Sequence, residues 1–285
     1  MLPLAAFTTH PSLFSLFGLV VGDGGARVEQ GITYGPDARH LLDIWRPRRA
    51  PDAGPVVVYF YGGGWTSGCR AGYGFVGGAI ASIGATCVIP DYRLYPKVRW
   101  PVFQEDAAAA VAWVARNVPG IERRPLVLMG HSAGAHLAAM LALDPRWLRA
   151  AGANRPVDGL IGLSGPYWFE PTTWPTTAHI FADATSKDEP RPVFHAGPHA
   201  PPALLVHGEA DDLVKPHNTH ELAAALEAAG RPVTKLVVPG AGHRKTLLGI
   251  ARPVRWRTDA RGPIAEFLRG IDGNGITSLH ATDAR

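Results

Sequence analysis

A serine between glycines stands where a predicted strand gives way to a predicted helix. The segment Gly130-His131-Ser132-Ala133-Gly134 follows the apolar run 125–129 and leads into a helical stretch over 133–143. In this setting the pattern G-x-S-x-G is typical of a nucleophile elbow, a sharp turn that lifts the serine Oγ clear of the sheet. We therefore predict that Ser132 is a nucleophile. The alternative is a serine that caps an ordinary helix.

A glycine-rich segment follows an earlier predicted strand. Tyr61-Gly62-Gly63-Gly64-Trp65 comes at the end of the apolar run 55–61. Glycines allow the backbone to turn its N–H groups inward and let a substrate approach closely. Acyl transfer needs such donors around the carbonyl oxygen. We predict that the N–H groups of Gly63, Gly64 and Ala133 form an oxyanion hole, with a merely flexible turn as the alternative.

An acid and a histidine follow two later strands. Asp211 and Asp212 lie in the loop after the predicted strand 203–206, and His243 comes after the predicted strand 233–238. Serine, acid and histidine in this chain order are typical of a triad built on a parallel sheet. His243 would take the serine proton as a base and return it to the leaving group. The residues alone leave both aspartates open as the acid.

Other reactive side chains have simpler interpretations. His131 and His136 lie close together, but no acidic or cysteine partner completes a metal set, so we predict no metal and no other cofactor. His207 precedes a tight turn and is interpreted as structural. Cys69 and Cys87 form no CxxC pair, and we expect no disulfide between them.

The elements that must position these residues alternate between strand-like and helix-like segments, which predicts a parallel sheet flanked by helices. The predicted buried strands are 55–61, 85–90, 125–129, 160–163, 203–206 and 233–238. The predicted helices are 75–82, 105–116, 133–143 and 218–229. The segment 39–45 indicates an earlier, partly antiparallel strand. Asp91-Tyr92-Arg93 is expected to hold the loops behind the glycine segment by hydrogen bonds.

One stretch interrupts the alternation. Residues 165–202 are rich in proline and aromatic residues and are too long for a simple connection. We predict a small cap or lid over the active edge of the sheet, the alternative being a surface excursion without a substrate role. Trp168 and Trp174 in this stretch, together with Trp65, are candidates for the substrate pocket. Trp65 and Trp168 could equally be core aromatics.

Composition excludes several classes of protein. The chain has 285 residues, 46% of them hydrophobic, 18% charged and a net charge of +4, which fits one catalytic domain over 1–285. Its arginines are mostly scattered, and the two dense patches, at 46–49 and 252–257, are interpreted as solvated surface, so we expect no nucleic-acid partner. The apolar run 13–21 is too short to span a membrane and lacks preceding basic residues, so we expect it to dock on the domain. We expect a soluble, cytoplasmic protein with a frayed tail over 271–285. The oligomeric state stays open.

The chain resembles the α/β-hydrolase carboxylesterases grouped with feruloyl-esterase-like and isoprenylcysteine-methylesterase-like proteins, near the hormone-sensitive-lipase and kynurenine-formamidase groups. The matching segments, over about residues 34 to 245, are YGPDARHLLDIWRP, YGGGW, IPDYRLYP, EDAAAAVAWV, GHSAGAHLAA, HGEADDLV and PGAGH. The resemblance implies an eight-stranded, mostly parallel sheet and hydrolysis without a metal or cofactor. It also implies Ser132, Asp211 and His243 as the triad, which favours Asp211 over Asp212. Tyr61 stands where the family usually has histidine, and we expect this to alter the support of the loop while leaving the oxyanion site intact.

Together these observations predict an esterase that acts on small to medium acyl or aryl esters through an acyl-enzyme. An amidase of the arylformamidase type would use the same triad on a C–N bond. A third possibility, a binding protein on an inactive hydrolase fold, would typically lack a member of the triad. All three members are present here.

Overall fold

The computed structural model describes residues 25–48, 53–251 and 260–272. The predicted docking segment 13–21 lies outside these residues. Among the described residues, eight strands form one sheet in the order β1-β2-β4-β3-β5-β6-β7-β8. The strands are β1 (Arg27–Thr33), β2 (Leu41–Arg46), β3 (Val56–Phe60), β4 (Thr86–Pro90), β5 (Leu126–His131), β6 (Gly159–Leu163), β7 (Ala203–Gly208) and β8 (Val233–Val238). Only the pairs β1·β2 and β2·β4 are antiparallel. The predicted eight-stranded, mostly parallel sheet is confirmed.

Helices lie between and after the strands. They are α1 (Gly74–Ala81), α2 (Val102–Asn117), α3 (Ala133–Leu143), α4 (Arg146–Ala150), α5 (His217–Ala228), α6 (Lys245–Leu248) and α7 (Arg261–Asp272). The four predicted helices correspond to α1, α2, α3 and α5. Helix α7 includes residues 271 and 272, where a frayed tail was expected, and the rest of that tail lies outside the described residues.

The central strands of the sheet are buried. Every residue of β3, β5 and β6 is buried, which explains why these strands are continuous apolar runs without an alternating polar face. Helix α3 packs against all three of these strands. Its eleven residues are all buried, so this helix carries no polar face. The element that begins directly after Ser132 is therefore fixed in the core.

The edges of the sheet are more exposed. Strand β1 is mostly exposed, and its register with β2 shifts between Glu29 and Ile32. Gly31 lies in that bulge with φ +70° and donates its N–H to Asp43 at 2.9 Å. A polar, bulged edge strand has no clear alternation, and this strand was not predicted from the sequence.

Parallel topology brings the candidate residues to one edge. The glycine segment follows β3, Ser132 follows β5, and the loops with Asp211 and His243 follow β7 and β8. Because carboxyl ends of parallel strands lie at the same edge, residues far apart in sequence meet there.

The stretch 165–202 follows β6 and contains turns and one short 3₁₀ helix, Pro192–His195, with no α-helix or strand. Its residues contact the loop before α2 and helix α3. The backbone N–H of Trp100 donates to the carbonyl of Ile180 at 2.9 Å, and His136 Nε2 lies 2.6 Å from the carbonyl of Pro190. The segment is therefore attached to the fold by hydrogen bonds.

Candidate active site

Ser132 occupies a strained turn between β5 and α3. Its φ of 55° and ψ of −125° lie in a region that non-glycine residues rarely adopt, at a cost of about 1–3 kcal/mol. Close packing explains the flanking glycines. A Cβ on Gly134 would lie 2.0 Å from the carbonyl oxygen of Phe60, and one on Gly130 would lie 2.2 Å from that of Gly134. The turn is held by its surroundings, and those surroundings leave no room for side chains at either glycine.

The structure brings Ser132, His243 and Asp211 into one chain of hydrogen bonds. His243 Nε2 lies 2.9 Å from Ser132 Oγ, and His243 Nδ1 lies 2.8 Å from Asp211 Oδ2. A carboxylate only accepts, so the Nδ1 proton is donated to Asp211 and Nε2 is left to accept the serine proton. Asp212 is different: its side chain is 95% exposed and pairs with Lys215 at 2.7 Å.

The Asp211 carboxylate is fully buried and well supplied with donors. Its Oδ1 accepts the backbone N–H groups of Leu213 at 3.1 Å and Val214 at 2.9 Å. Burial alone would raise the pKa of this carboxyl, but hydrogen bonds from His207, His243 and Val214 outweigh burial and hold the pKa well below its usual range. Asp211 therefore stays ionised and able to stabilise a protonated imidazole.

The glycine segment lies directly beside the elbow. A Cβ on Gly62 would lie 3.0 Å from the Cβ of Ser132. Gly63 and Gly64 have φ of 137° and 60°, conformations that favour glycine. The carbonyl of Gly63 accepts the N–H groups of Thr66 and Ser67, each at 3.1 Å, and thereby closes a tight turn.

Three backbone donors are free at this point. Among the described residues, no acceptor takes the N–H groups of Gly63, Gly64 or Ala133. Ala133 is the first residue of α3, where helix geometry leaves the N–H groups without an intrahelical partner and the helix dipole favours negative charge. These are the three groups predicted from the sequence to form an oxyanion hole.

Tyr61 is the centre of a buried network behind the glycine segment. Its hydroxyl donates to Asp91 Oδ1 at 2.8 Å and accepts from the Arg39 guanidinium at 2.8 Å. Its ring stacks between Tyr73 and Tyr92, with centroids 5.2 and 4.9 Å away. The Tyr92 hydroxyl donates to the Tyr61 carbonyl at 2.9 Å. The entry to the glycine segment is thus fixed through both side chain and backbone.

The expected role of Asp91-Tyr92-Arg93 is right for two residues and wrong for the third. Asp91 also receives the N–H and guanidinium of Arg70, at 2.7 and 2.6 Å, and so connects the glycine segment to the turn that follows it. Arg93 instead donates to Asp106 on α2, at 2.6 Å. Its side chain reaches the neighbouring helix, so it does not support the glycine segment.

The three tryptophans proposed for the pocket have different environments. Trp65 is 3% exposed, has φ of 59° and packs among aromatic rings. The centroids of His136, Phe169 and Phe181 lie 5.2, 6.5 and 4.9 Å from that of Trp65. Phe169 and Phe181 belong to the stretch 165–202, so Trp65 joins the glycine segment to that stretch.

By contrast, Trp168 is 40% and Trp174 59% exposed. The Arg191 guanidinium lies over the Trp168 ring at 5.2 Å, and the backbone N–H of Trp168 donates to Asn218 Oδ1 at 2.9 Å. Trp168 is held in place and still presents surface to solvent, whereas Trp65 is part of the core.

Two histidines contact the triad in ways that sequence reasoning missed. His131 Nε2 lies 3.0 Å from the carbonyl of His243 and so fixes the backbone of the base. Burial, with the nearby His243, lowers the pKa of His131 to about 3, so its ring is neutral. His207 Nε2 lies 3.3 Å from Asp211 Oδ2. The only signal in the sequence was proximity along the chain to Ser132 and to Asp211.

No group of three His, Cys, Asp or Glu side chains in the described parts of the chain could hold a metal ion. Cys69 and Cys87 are both free thiols. None of the helices within 25–48, 53–251 and 260–272 is long and apolar enough to cross a membrane.

Comparison with known proteins indicates one family. A family model described as alpha/beta hydrolase fold matches residues 57–247. The chain is 33% identical to esterase LipC of Mycobacterium tuberculosis over 78% of this chain and 60% of that protein. It is 26% identical to the isoprenylcysteine alpha-carbonyl methylesterase ICME of Arabidopsis thaliana, over 88% and 64%. The resemblance indicated by the motifs is confirmed.

Solved structures show the same fold. Esterase B from Lactobacillus rhamnosis superimposes with a TM-score of 0.72 at 20% identity, over 87% of this chain and 85% of that one. At this identity the likeness concerns the fold alone. The chain spans about three fifths of the length of the two sequence relatives named above.

Proposed function

We propose that this chain, which belongs to the alpha/beta hydrolase family, is a serine hydrolase that cleaves small to medium acyl or aryl esters. The observation that carries the proposal is the continuous chain Ser132 Oγ, His243, Asp211, with links of 2.9 and 2.8 Å, beside three backbone N–H groups that no acceptor in the described part of the chain takes. The relatives named as esterases support the ester over other acyl compounds.

The first half-reaction acylates the serine. Ser132 Oγ attacks the ester carbonyl carbon while His243 Nε2 takes the hydroxyl proton. The carbonyl oxygen becomes an oxyanion, which the N–H groups of Gly63, Gly64 and Ala133 stabilise by hydrogen bonds that strengthen as charge develops. Collapse of the tetrahedral intermediate breaks the bond to the alcohol oxygen, which receives the proton from His243 and leaves.

The second half-reaction uses water. His243 Nε2 takes a proton from a water molecule, whose oxygen attacks the acyl carbon of the ester on Ser132. A second oxyanion forms at the same donors. Its collapse releases the carboxylic acid and returns the proton from His243 to Ser132 Oγ, which regenerates the resting enzyme.

Asp211 acts through His243. The carboxylate holds the imidazole with its proton on Nδ1, so that Nε2 faces Ser132 as a base. Its ionised state, maintained by buried hydrogen bonds, stabilises the imidazolium that forms in each half-reaction. Asp212, exposed to solvent and paired with Lys215, has no such access.

The stretch 165–202 is proposed as a cap that shapes substrate preference. Phe169 and Phe181 pack on Trp65, the last residue of the glycine segment, so the stretch lies against the site. Trp168 and Trp174 keep exposed apolar surface that an acyl or aryl group could cover, at roughly 25 cal/mol per Å². Trp65 would act as a fixed wall because it is buried.

The test compares the wild-type enzyme with Ser132→Ala on nitrophenyl esters of graded acyl length. We expect saturable turnover in the wild type and a loss of about 10⁶ in kcat in the variant. A fluorophosphonate probe should label the wild type and a Ser82→Ala control but not Ser132→Ala. Ser82 lies beyond the end of α1, outside the site. N-formylkynurenine serves as a parallel substrate, and preference for it would redirect the proposal to an amidase. Retention of more than about a hundredth of the activity in Ser132→Ala would exclude Ser132 as the nucleophile.

A further inference from the structure

His207 has a set of contacts that a simple structural role does not require. Its side chain is fully buried at the end of β7. Nε2 lies 2.8 Å from the carbonyl of Val214 and 3.3 Å from Asp211 Oδ2, while Nδ1 lies 2.7 Å from Thr219 Oγ1 on α5. The ring thus connects a strand, a helix and the loop that carries the acid.

The proton on Nε2 follows from its neighbours. Both the Val214 carbonyl and the ionised Asp211 carboxylate only accept hydrogen bonds, so the nitrogen between them must donate. Thr219 contacts the opposite nitrogen and fixes the plane of the ring. Asp211 Oδ2 therefore lies beside two imidazole N–H groups: His243 Nδ1, hydrogen-bonded to it at 2.8 Å, and His207 Nε2, 3.3 Å away with its hydrogen bond on the Val214 carbonyl.

We propose that His207 is a positioning residue for the hydrolytic reaction, which orients the Asp211 carboxylate and moderates how strongly that carboxylate attracts the proton of His243. This inference rests on the proposed function. Physically, a carboxylate that shares its charge with a second donor has less left for the imidazolium of His243. Removing that donor concentrates the negative charge on the remaining partner.

The same contact shapes the acid loop. Asp212 and Leu213 at the tip of this loop are exposed, Leu213 by 76%. The loop is closed from inside by His207 on the Val214 carbonyl and by Asp211 on the Val214 N–H, at 2.8 and 2.9 Å. His207 and Asp211 therefore bind the carbonyl and the N–H of the same residue, Val214.

The ionisable groups that face this pair come from several elements. They are His243 after β8, His131 on β5 and His220 on α5, all of which interact electrostatically with His207 or Asp211. His131 is neutral over the working pH range because its pKa is lowered to about 3. A change at His207 should therefore be detected mainly at His243.

The experiment measures the midpoint of the pH dependence of kcat/KM for a nitrophenyl ester in His207→Leu and His207→Gln. We expect His207→Leu to lower kcat/KM about tenfold and to move the midpoint upward by about half a pH unit. His207→Gln keeps an N–H donor near the position of Nε2, so its midpoint should return towards that of the wild type.

A milder pair separates this effect from lost stability. Thr219→Val removes the hydroxyl that contacts His207 Nδ1. Thr86→Val removes an equally buried hydroxyl at the opposite end of the sheet, which accepts from Arg124 at 2.6 Å. Both should lower the melting temperature. Only Thr219→Val should raise the midpoint, by less than His207→Leu does.

Titration of His243 by ¹⁵N NMR, with its signal assigned by its loss in His243→Gln, reports the same midpoint without any substrate. If neither His207→Leu nor Thr219→Val moves the NMR midpoint relative to Thr86→Val, His207 only supports folding and the inference is overturned. If the midpoint moves but wild-type protein hydrolyses no ester, the coupling stands and the proposed function fails.

Discussion

The hydroxyl of Tyr61 offers a test with an internal control two residues away. Tyr61→Phe removes one donor from Asp91 and one acceptor from Arg39 and leaves the aromatic stack intact. Tyr59, on the same face of β3, is also fully buried and packs on the same Tyr73 ring, at 5.9 Å. Its hydroxyl has no hydrogen-bond partner among the described residues. Tyr59→Phe therefore removes the same atom without breaking a described bond.

The loss of stability in Tyr61→Phe depends on the hydrogen bonds that Asp91 and Arg39 keep. Asp91 keeps the two donors from Arg70, and Arg39 keeps the carbonyls of Tyr92 and Gly68. The Arg39 side chain is also 28% exposed, so water can replace part of its loss. Hydrogen bonds to charged groups contribute about 1.5–3 kcal/mol, and we expect Tyr61→Phe to reduce the free energy of unfolding by about 2 kcal/mol. Tyr59→Phe should change the free energy of unfolding by less than about 0.5 kcal/mol, or stabilise the fold, because its buried hydroxyl has no hydrogen bond to a described residue to lose.

Activity should respond through the glycine segment. Loss of one oxyanion donor costs about 10² to 10³ in kcat, and a loosened rather than deleted donor should cost about tenfold. KM should change little because the hydrogen bonds from the glycine segment to the oxyanion form mainly in the transition state. Urea denaturation gives the stability difference, and steady-state kinetics on a short-chain nitrophenyl ester gives kcat and KM. Equal stability and equal kcat in the two variants would refute the idea that the Tyr61 hydroxyl positions the oxyanion site.

Further outcomes follow from the same structure. Asp211→Asn should lower kcat by about 10⁴, whereas Asp212→Asn, at an exposed carboxylate, should lower it less than twofold in the same ester assay; the reverse order would make Asp212 the acid. Trp168→Ala and Trp174→Ala should change the ranking of short, medium and aryl esters by kcat/KM, and an unchanged ranking would make the stretch 165–202 a surface excursion. Burial lowers the pKa of His136 to about 4. As pH falls, the unfolded chain therefore protonates His136 near pH 6.5, whereas the folded chain protonates it only near pH 4. The resulting stability is complete above pH 6.5 and decreases as pH falls towards 4, by about 2 kcal/mol at pH 5, and urea titrations should show a shallower acid dependence in His136→Phe.

The backbone features of the site could be predicted from local sequence. A buried strand, a G-x-S-x-G turn and a helix are consecutive, so their residues define the conformation around Ser132 within about fifteen positions. The glycine segment after β3 is equally local. The central strands were predictable because continuous apolar runs can only be satisfied by burial on both faces. The bulged strand β1 was missed because its exposed, polar residues give no such pattern.

Partner choice depended on the tertiary structure. Asp211 and Asp212 are adjacent and chemically alike, and only the turn after β7 places one carboxylate against His243 and the other in solvent. The same holds for Arg93, which contacts α2 instead of the glycine segment, and for His207, which shares the Asp211 carboxylate. Sequence determines the chemistry available and the local path of the backbone. Which side chains meet across 32 to 111 residues is decided by how strands and helices pack, because a hydrogen bond requires a distance near 3 Å that no local pattern specifies.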